Sequence, residues 1–238
     1  MIEIELLVYK VGDMEFEGRV IRDAEIADPR PGIMLAHAFF GLGAQEIEHA
    51  KRLAQLGYVV FACDYYGRGR TPETSDDAFA RMTEMNDDRP ALAARMATAL
   101  DTFKTLPFVK ADKIAAVGFC FGGKAVLDLA RSGADFKAAI SLHGVYDAPS
   151  DDRNKMKSAV LVLHGWNDPL APPDAVVALS HELEATCEDW QTVMFGDTSH
   201  AFTNPGANAA ENGMLFNSRA TKRSWMVIDD YLEEKFSD

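Results

Sequence analysis

One turn, at residues 118–123, limits what this chain can fold into more than any other stretch. Ile114-Ala115-Ala116-Val117 is a short apolar run of strand character. Gly118-Phe119-Cys120-Phe121-Gly122-Gly123 follows, and a helical pattern covers 121–132. Passing from strand to helix over so few residues demands a sharp, strained backbone at the apex. Side chains two positions before and after the apex would collide, so Gly118 and Gly122 are required there, and Gly123 lets helix pack closely on strand. The apex residue is Cys120. A thiol at a helix N-terminus sits in the positive end of the macrodipole, which favours thiolate over thiol. The Phe121 backbone N–H then points to where an oxyanion would develop. A cysteine taken at random is more often a small buried hydrophobe, but the paired glycines and the strand-to-helix context weigh against that reading here.

The rest of the pattern supplies the matching architecture. Residues 3–9 and 14–22 alternate apolar with polar around Gly12-Asp13, which predicts an antiparallel hairpin at the start of the chain. Apolar runs follow at Ile33–Ala36, Tyr58–Ala62, Ile114–Val117, Ala138–Leu142, Ala159–Leu163 and Trp190–Phe195. Helical periodicity fills 44–56, 89–105, 121–132, 173–186 and 219–235 between and after them. The expected fold class is therefore α/β: a mostly parallel sheet with an antiparallel N-terminal hairpin and helices on both faces. No repeat or linker breaks the pattern, so residues 1–238 are expected to form a single domain. Residues 71–89 read as a polar, turn-rich excursion near the mouth of a pocket. Only 16 residues separate the runs ending at Leu142 and starting at Ala159, which leaves no space for a large cap domain.

A nucleophile at such an elbow needs an acid and a base, which follow it in that order along the chain. Leu161-Val162-Leu163-His164-Gly165-Trp166-Asn167-Asp168-Pro169 places Asp168 in a turn just beyond a buried strand. An aspartate there often serves only the turn, but Asp174, after Pro172-Pro173, is the better helix-start residue, which frees Asp168 as the acid. Val193-Met194-Phe195-Gly196-Asp197-Thr198-Ser199-His200 gives strand, polar turn and base. Among the other histidines, His181 falls in an exposed helical pattern and is expected to be solvated, His49 falls in the first helix and is expected to be bland, while His143 and His164 end strands and suit structural or pocket-lining roles. The candidate triad is Cys120–His200–Asp168: sulfur attacks a carbonyl carbon, imidazole moves the proton, and carboxylate fixes the tautomer.

Composition excludes other classes. A formal net charge of −13, with basic residues scattered, argues against a nucleic-acid surface. No stretch approaches the roughly 18 apolar residues of a membrane span, and no secretory signal is visible at the N-terminus. Cys63, Cys120 and Cys187 are odd in number, far apart and without CxxC spacing. Reduced thiols in a cytoplasmic setting are the expectation.

At Gly118–Gly123, Asp168 and His200 the chain resembles the dienelactone hydrolase (carboxymethylenebutenolidase-like) family of α/β-hydrolases. The resemblance runs from about residue 31 to 235. It includes His37-Ala38-Phe39-Phe40-Gly41-Leu42, Leu56-Gly57-Tyr58-Val59-Val60, Asp64-Tyr65-Tyr66-Gly67, His164-Gly165-Trp166-Asn167-Asp168 and His200-Ala201-Phe202-Thr203-Asn204-Pro205. It implies an α/β-hydrolase fold, a second oxyanion donor at the Phe39 N–H, and hydrolysis of a small ester or lactone through a thioester without metal or cofactor. Two positions depart from the family. Ala38 stands where many members carry a glutamate facing the thiol. Asn204 stands where dienelactone-specific members hold the substrate carboxylate with an arginine, which leaves Arg81 as a candidate positive charge and makes neutral esters as good a fit as dienelactone. Phe40, Phe79, Met82, Tyr146 and Trp166 are candidate pocket residues, each also an ordinary core aromatic or thioether.

Three alternatives follow from the same residues. The first is a promiscuous hydrolase of aryl esters or phosphotriesters. The second is a non-catalytic binder on the same fold, which would form no acyl adduct at Cys120. The third is a thiol redox sensor, disfavoured because no resolving cysteine lies nearby in sequence. Nothing in the sequence chooses between a monomer and a homodimer.

Overall fold

The structure, a computed structural model, describes residues 1–149 and 155–237. Residues 150–154, inside the connection judged too short for a cap domain, lie outside the described residues.

The chain opens with the expected hairpin, β1 (Ile2–Val11) and β2 (Met14–Asp23), closed by Gly12 at φ 57°. Five strands that follow match the apolar runs: β3 (Arg30–Ala36), β4 (Val59–Cys63), β6 (Ala138–Leu142), β7 (Ala159–Gly165) and β8 (Trp190–Phe195). The run at Ile114–Val117 is the inner part of a longer β5 (Val109–Phe119). The eight strands form one sheet in the order β1-β2-β4-β3-β5-β6-β7-β8. The β1–β2 and β2–β4 pairs are antiparallel and the other pairs parallel. β5 therefore lies inside the sheet, flanked by β3 and β6.

Side-chain alternation divides the core in two. Ile33 and Leu35 of β3 face the layer of α1 (Ala44–Gln55) and α6 (Ser218–Ser237), while Met34 and Ala36 face the layer of α3 (Arg89–Lys104), α4 (Phe121–Arg131) and α5 (Pro173–Thr186). α4 is buried at every residue. Its charged members are paired: Arg131 with Asp128 and Glu182, Asp128 also with Arg89, and Lys124 with Asp147. Asp174 lies in the first turn of α5, as its place after the two prolines suggested.

One expectation is corrected. The stretch 71–89 is not merely a turn-rich excursion, because Ser75–Asp87 forms helix α2. Thr74 caps it: the hydroxyl accepts from the Asp77 amide, and the Asp77 carboxylate accepts from the Thr74 amide and hydroxyl. Only Ala78 and Met85 of its residues are buried, so its periodicity is faint while its cap carries the signal. Asp88 then caps α3 by accepting from the Ala91 amide. Among the described residues, no helix is long and apolar enough to cross a membrane.

Because α4 is enclosed on all sides, its apolar residues should dominate stability. Leu127→Ala is expected to lower the unfolding free energy by about 2–5 kcal/mol. Val177→Ala on the exposed side of α5 should change it by less than about 0.5 kcal/mol. Urea denaturation of both variants checks this.

Candidate active site

The parallel strands deliver their loops to one edge of the sheet, the C-terminal edge where open α/β sheets place their ligands. Ala36 leads to His37–Leu42, Phe119 to Cys120, Leu142 to His143, Gly165 to Trp166–Asp168, and Phe195 to the loop carrying His200.

Cys120 occupies the apex between β5 and α4 with φ 55° and ψ −117°, a conformation costly for any residue with a β-carbon. The glycines around it have no room for one. A β-carbon on Gly118 would lie 2.0 Å from the Gly122 carbonyl oxygen, and one on Gly122 would lie 2.3 Å from that of Ala36. The Cys120 amide donates to the Leu142 carbonyl at 3.0 Å and to His143 Nδ1 at 3.1 Å.

Imidazole joins the other two residues. His200 Nε2 is 3.1 Å from Cys120 Sγ, and its Nδ1 is 2.7 Å from Asp168 Oδ2. The carboxylate is fully buried, and its other oxygen accepts from the Leu170 amide. The three residues, spread over 80 positions of the chain, thus form one continuous chain of contacts. Burial opposes charge on His200, but its hydrogen bonds to Asp168 and Cys120 and their negative charge outweigh it and raise its pKa to about 10. These partners favour the charged form of the ring. The His200 backbone is held by the small β9–β10 hairpin (Asn208–Ala209 with Met214–Leu215): its amide donates to the Gly213 carbonyl and its carbonyl accepts from the Leu215 amide.

The loop after β3 is pinned peptide by peptide. The His37 carbonyl accepts from Tyr65 Oη at 2.5 Å, the Ala38 amide donates to Glu46, and the Phe39 carbonyl accepts from Tyr66 Oη. The Ala38 carbonyl takes both the Gly41 amide and His37 Nδ1–H. In a trans peptide C=O and N–H point in opposite directions, so the Phe39 N–H is aimed away from this framework. It donates to no described residue. The Phe121 N–H, at the first position of α4, is likewise outside the helical ladder. Among the described residues, neither predicted oxyanion donor gives its N–H to a partner.

The remaining predicted pocket residues divide. Phe40, Phe79 and Trp166 are 53%, 61% and 54% exposed, and the Phe40 and Phe79 rings adjoin that of Phe39. Met82 is half-buried against the core. Tyr146 is a core residue whose hydroxyl meets His164 Nδ1 at 2.9 Å. Arg81 lies 3.7 Å from Glu84, which also binds Arg70 and Arg95. The Asn204 amide oxygen accepts from the Gly206 amide within its own loop. His49 is a packing residue of the first helix: its ring stacks on Phe119 and adjoins Trp225, and burial lowers its pKa to about 4. Cavities of about 340 and 820 Å³ lie elsewhere, with none of the triad residues in their walls.

Sequence reasoning missed the residues that brace the site. Glu46 carries no motif, and the Tyr65-Tyr66 pair, though within a segment that resembles the family, was given no role in the site. The one available signal was buried polar character at strand ends, as in Asp64-Tyr65-Tyr66.

Comparison with known proteins finds relatives of the whole chain. The sequence profile of the dienelactone hydrolase family matches residues 16–236. The structure superposes on that of a protein named m3DLH with a TM-score of 0.94 at 34% identity, covering 99% of each chain. It superposes with a TM-score of 0.93 at 32% identity, again over 99% of each, on a dienelactone hydrolase-like promiscuous phosphotriesterase from metagenomic libraries. The carboxymethylenebutenolidase homologue of Homo sapiens is 33% identical over 93 residues, 39% of this chain and 38% of its own.

The charged state of His200 has a measurable sign. In the unfolded chain an imidazole titrates near 6.5, so the stabilisation from its raised folded value is complete below that pH. It is lost as pH rises toward about 10. The unfolding free-energy difference between the wild type and His200→Gln should accordingly shrink between pH 6.5 and 10 in urea titrations. A difference that grows with pH over this range would contradict the assignment.

Proposed function

Because the chain belongs to the dienelactone hydrolase family and is a hydrolase of ester or lactone bonds, we propose that it works through a cysteine nucleophile, Cys120, with His200 as acid and base and Asp168 as its orienting carboxylate. The observation that carries this reading is the imidazole with one nitrogen 2.7 Å from a buried carboxylate and the other 3.1 Å from the sulfur at the elbow.

The steps follow from the charges. The Cys120 thiolate, paired with the His200 imidazolium, adds to the carbonyl carbon, and the carbonyl electrons become an oxyanion facing the Phe39 and Phe121 N–H groups. Each such donor typically contributes about 3 kcal/mol in a dry, preorganised site. The adduct collapses by breaking the bond to the leaving oxygen, which takes the His200 proton and departs as the alcohol. Neutral His200 then removes a proton from water, whose oxygen adds to the thioester. The second adduct expels the thiolate, releases the acid and restores the ion pair. Asp168 remains ionised throughout and holds the proton-bearing Nδ1 in place.

Neutral, apolar esters fit this site best. Asn204 carries no charge and is turned to its own loop, while Arg81 is offset only by Glu84 at 3.7 Å, its Nε without a hydrogen-bond partner among the described residues. The exposed Phe40, Phe79 and Trp166 rings offer apolar surface. Phosphotriesters are the second reading, favoured by the 32% identity to the promiscuous phosphotriesterase; the same two donors would face the phosphoryl oxygen. Residues 1–238 act in this account as one domain, and a free-thiol nucleophile suits a reducing cytoplasm.

Steady-state rates with p-nitrophenyl acetate, a dienelactone and an aryl phosphotriester, measured side by side, test the proposal. The acetate should be turned over faster than the carboxylate-bearing lactone. Cys120→Ala and His200→Ala should each lower kcat on the order of 10³-fold or more. Variants that keep wild-type turnover would exclude the assigned roles.

A further inference from the structure

His143 is a buried histidine outside the triad, and its two ring nitrogens connect the two loops that must meet. Nδ1 lies 3.1 Å from the Cys120 backbone nitrogen and Nε2 lies 2.8 Å from Thr203 Oγ1. The Cys120 N–H can only donate, so Nδ1 is the unprotonated nitrogen and the proton sits on Nε2, given to the threonine hydroxyl. Thr203 is three residues past His200 and is itself buried. The same side chain therefore ties the strained elbow to the base loop. Its backbone amide is fixed in turn on the Leu163 carbonyl, and its φ is 36°. The ring packs edge-on to His200 at 5.2 Å and to Phe202 at 5.1 Å.

Resting on the triad proposed above, we infer that His143 is a positioning residue that sets the sulfur–imidazole approach by holding the Cys120 amide and the Thr203 hydroxyl at once. Two consequences follow. The Cys120 N–H, engaged by Leu142 and His143, is withheld from the oxyanion and leaves that task to Phe39 and Phe121. A hydrogen-bonded neutral ring also sits beside the His200 imidazolium, where a second cation would repel it. Burial, with the neighbouring His200 charge, holds the His143 pKa well below the ordinary histidine range.

Four variants separate this role from simple packing. His143→Leu removes both hydrogen bonds. His143→Asn puts an amide oxygen near the Nδ1 position, and asparagine tolerates the positive φ. Thr203→Val removes only the hydroxyl and Thr203→Ser retains it. We expect His143→Leu to lower kcat for p-nitrophenyl acetate by about 10- to 100-fold with KM changed less than about twofold, and to slow alkylation of Cys120 by iodoacetamide in parallel. His143→Asn should recover most of the loss, Thr203→Val should show a smaller loss of the same kind, and Thr203→Ser should match the wild type. If His143→Leu does not fold, the Thr203 pair carries the test alone. Wild-type kcat and alkylation in His143→Leu or, where that variant does not fold, in Thr203→Val would overturn the inference. So would equal losses in His143→Leu and a folded His143→Asn. Failure of the triad reading itself is recognised separately, by a wild-type enzyme whose turnover survives complete alkylation of Cys120.

Discussion

The structure depends on a backbone that turns from β5 into α4 within one residue. Cys120 sits there at a positive φ that an L-residue adopts only under constraint. The constraint comes from both sides. Gly118 and Gly122 let the strand, the helix and the end of β3 approach within distances that a β-carbon would forbid, and α4 is locked into the core along its full length. With the apex fixed, the sulfur is held out of the sheet while the helix start presents a free amide beside it. The same close approach brings the loop after β3 alongside, because the missing β-carbon of Gly122 makes room for the Ala36 and His37 carbonyls.

Around this turn, the chain assigns protonation by partner. Four buried histidines line the C-terminal edge of the sheet. His37 and His164 each donate one ring N–H to a backbone carbonyl, of Ala38 and Ala171, and His143 donates to a threonine. Burial lowers the pKa of all three. His200 alone faces a carboxylate at 2.7 Å and a sulfur at 3.1 Å, and it alone has a raised pKa. One cation among neutral neighbours keeps the proton at the place where the proposed chemistry uses it.

What was legible in the sequence follows from how local each cause is. The elbow could be read because its glycines answer a steric demand within five residues. Asp168 and His200 could be read because each follows a buried strand in a required order. The sheet was visible because apolar runs of β-branched and alanine residues are bounded by turns. Helix α2 was missed because few of its side chains reach the core, so its 3.6-residue period is faint while Thr74 and Asp77 provide the cap. The packing of His49 was not legible because the rings that cover it, Phe119 and Trp225, come from β5 and α6. The clasp of His143 on Cys120 and Thr203 joins residues 23 and 60 positions apart, a relation no spacing rule encodes.

In the proposed reaction the sulfur of Cys120 carries the acyl group between the two halves. Rapid-quench mass spectrometry of the enzyme mixed with p-nitrophenyl acetate tests it most directly. A transient increment of about 42 daltons, one acetyl group, is expected to map to Cys120, to be released by hydroxylamine and to persist longer in Asp168→Asn. Full turnover with no increment on Cys120 at any quench time, or an increment mapping to another side chain, would contradict it.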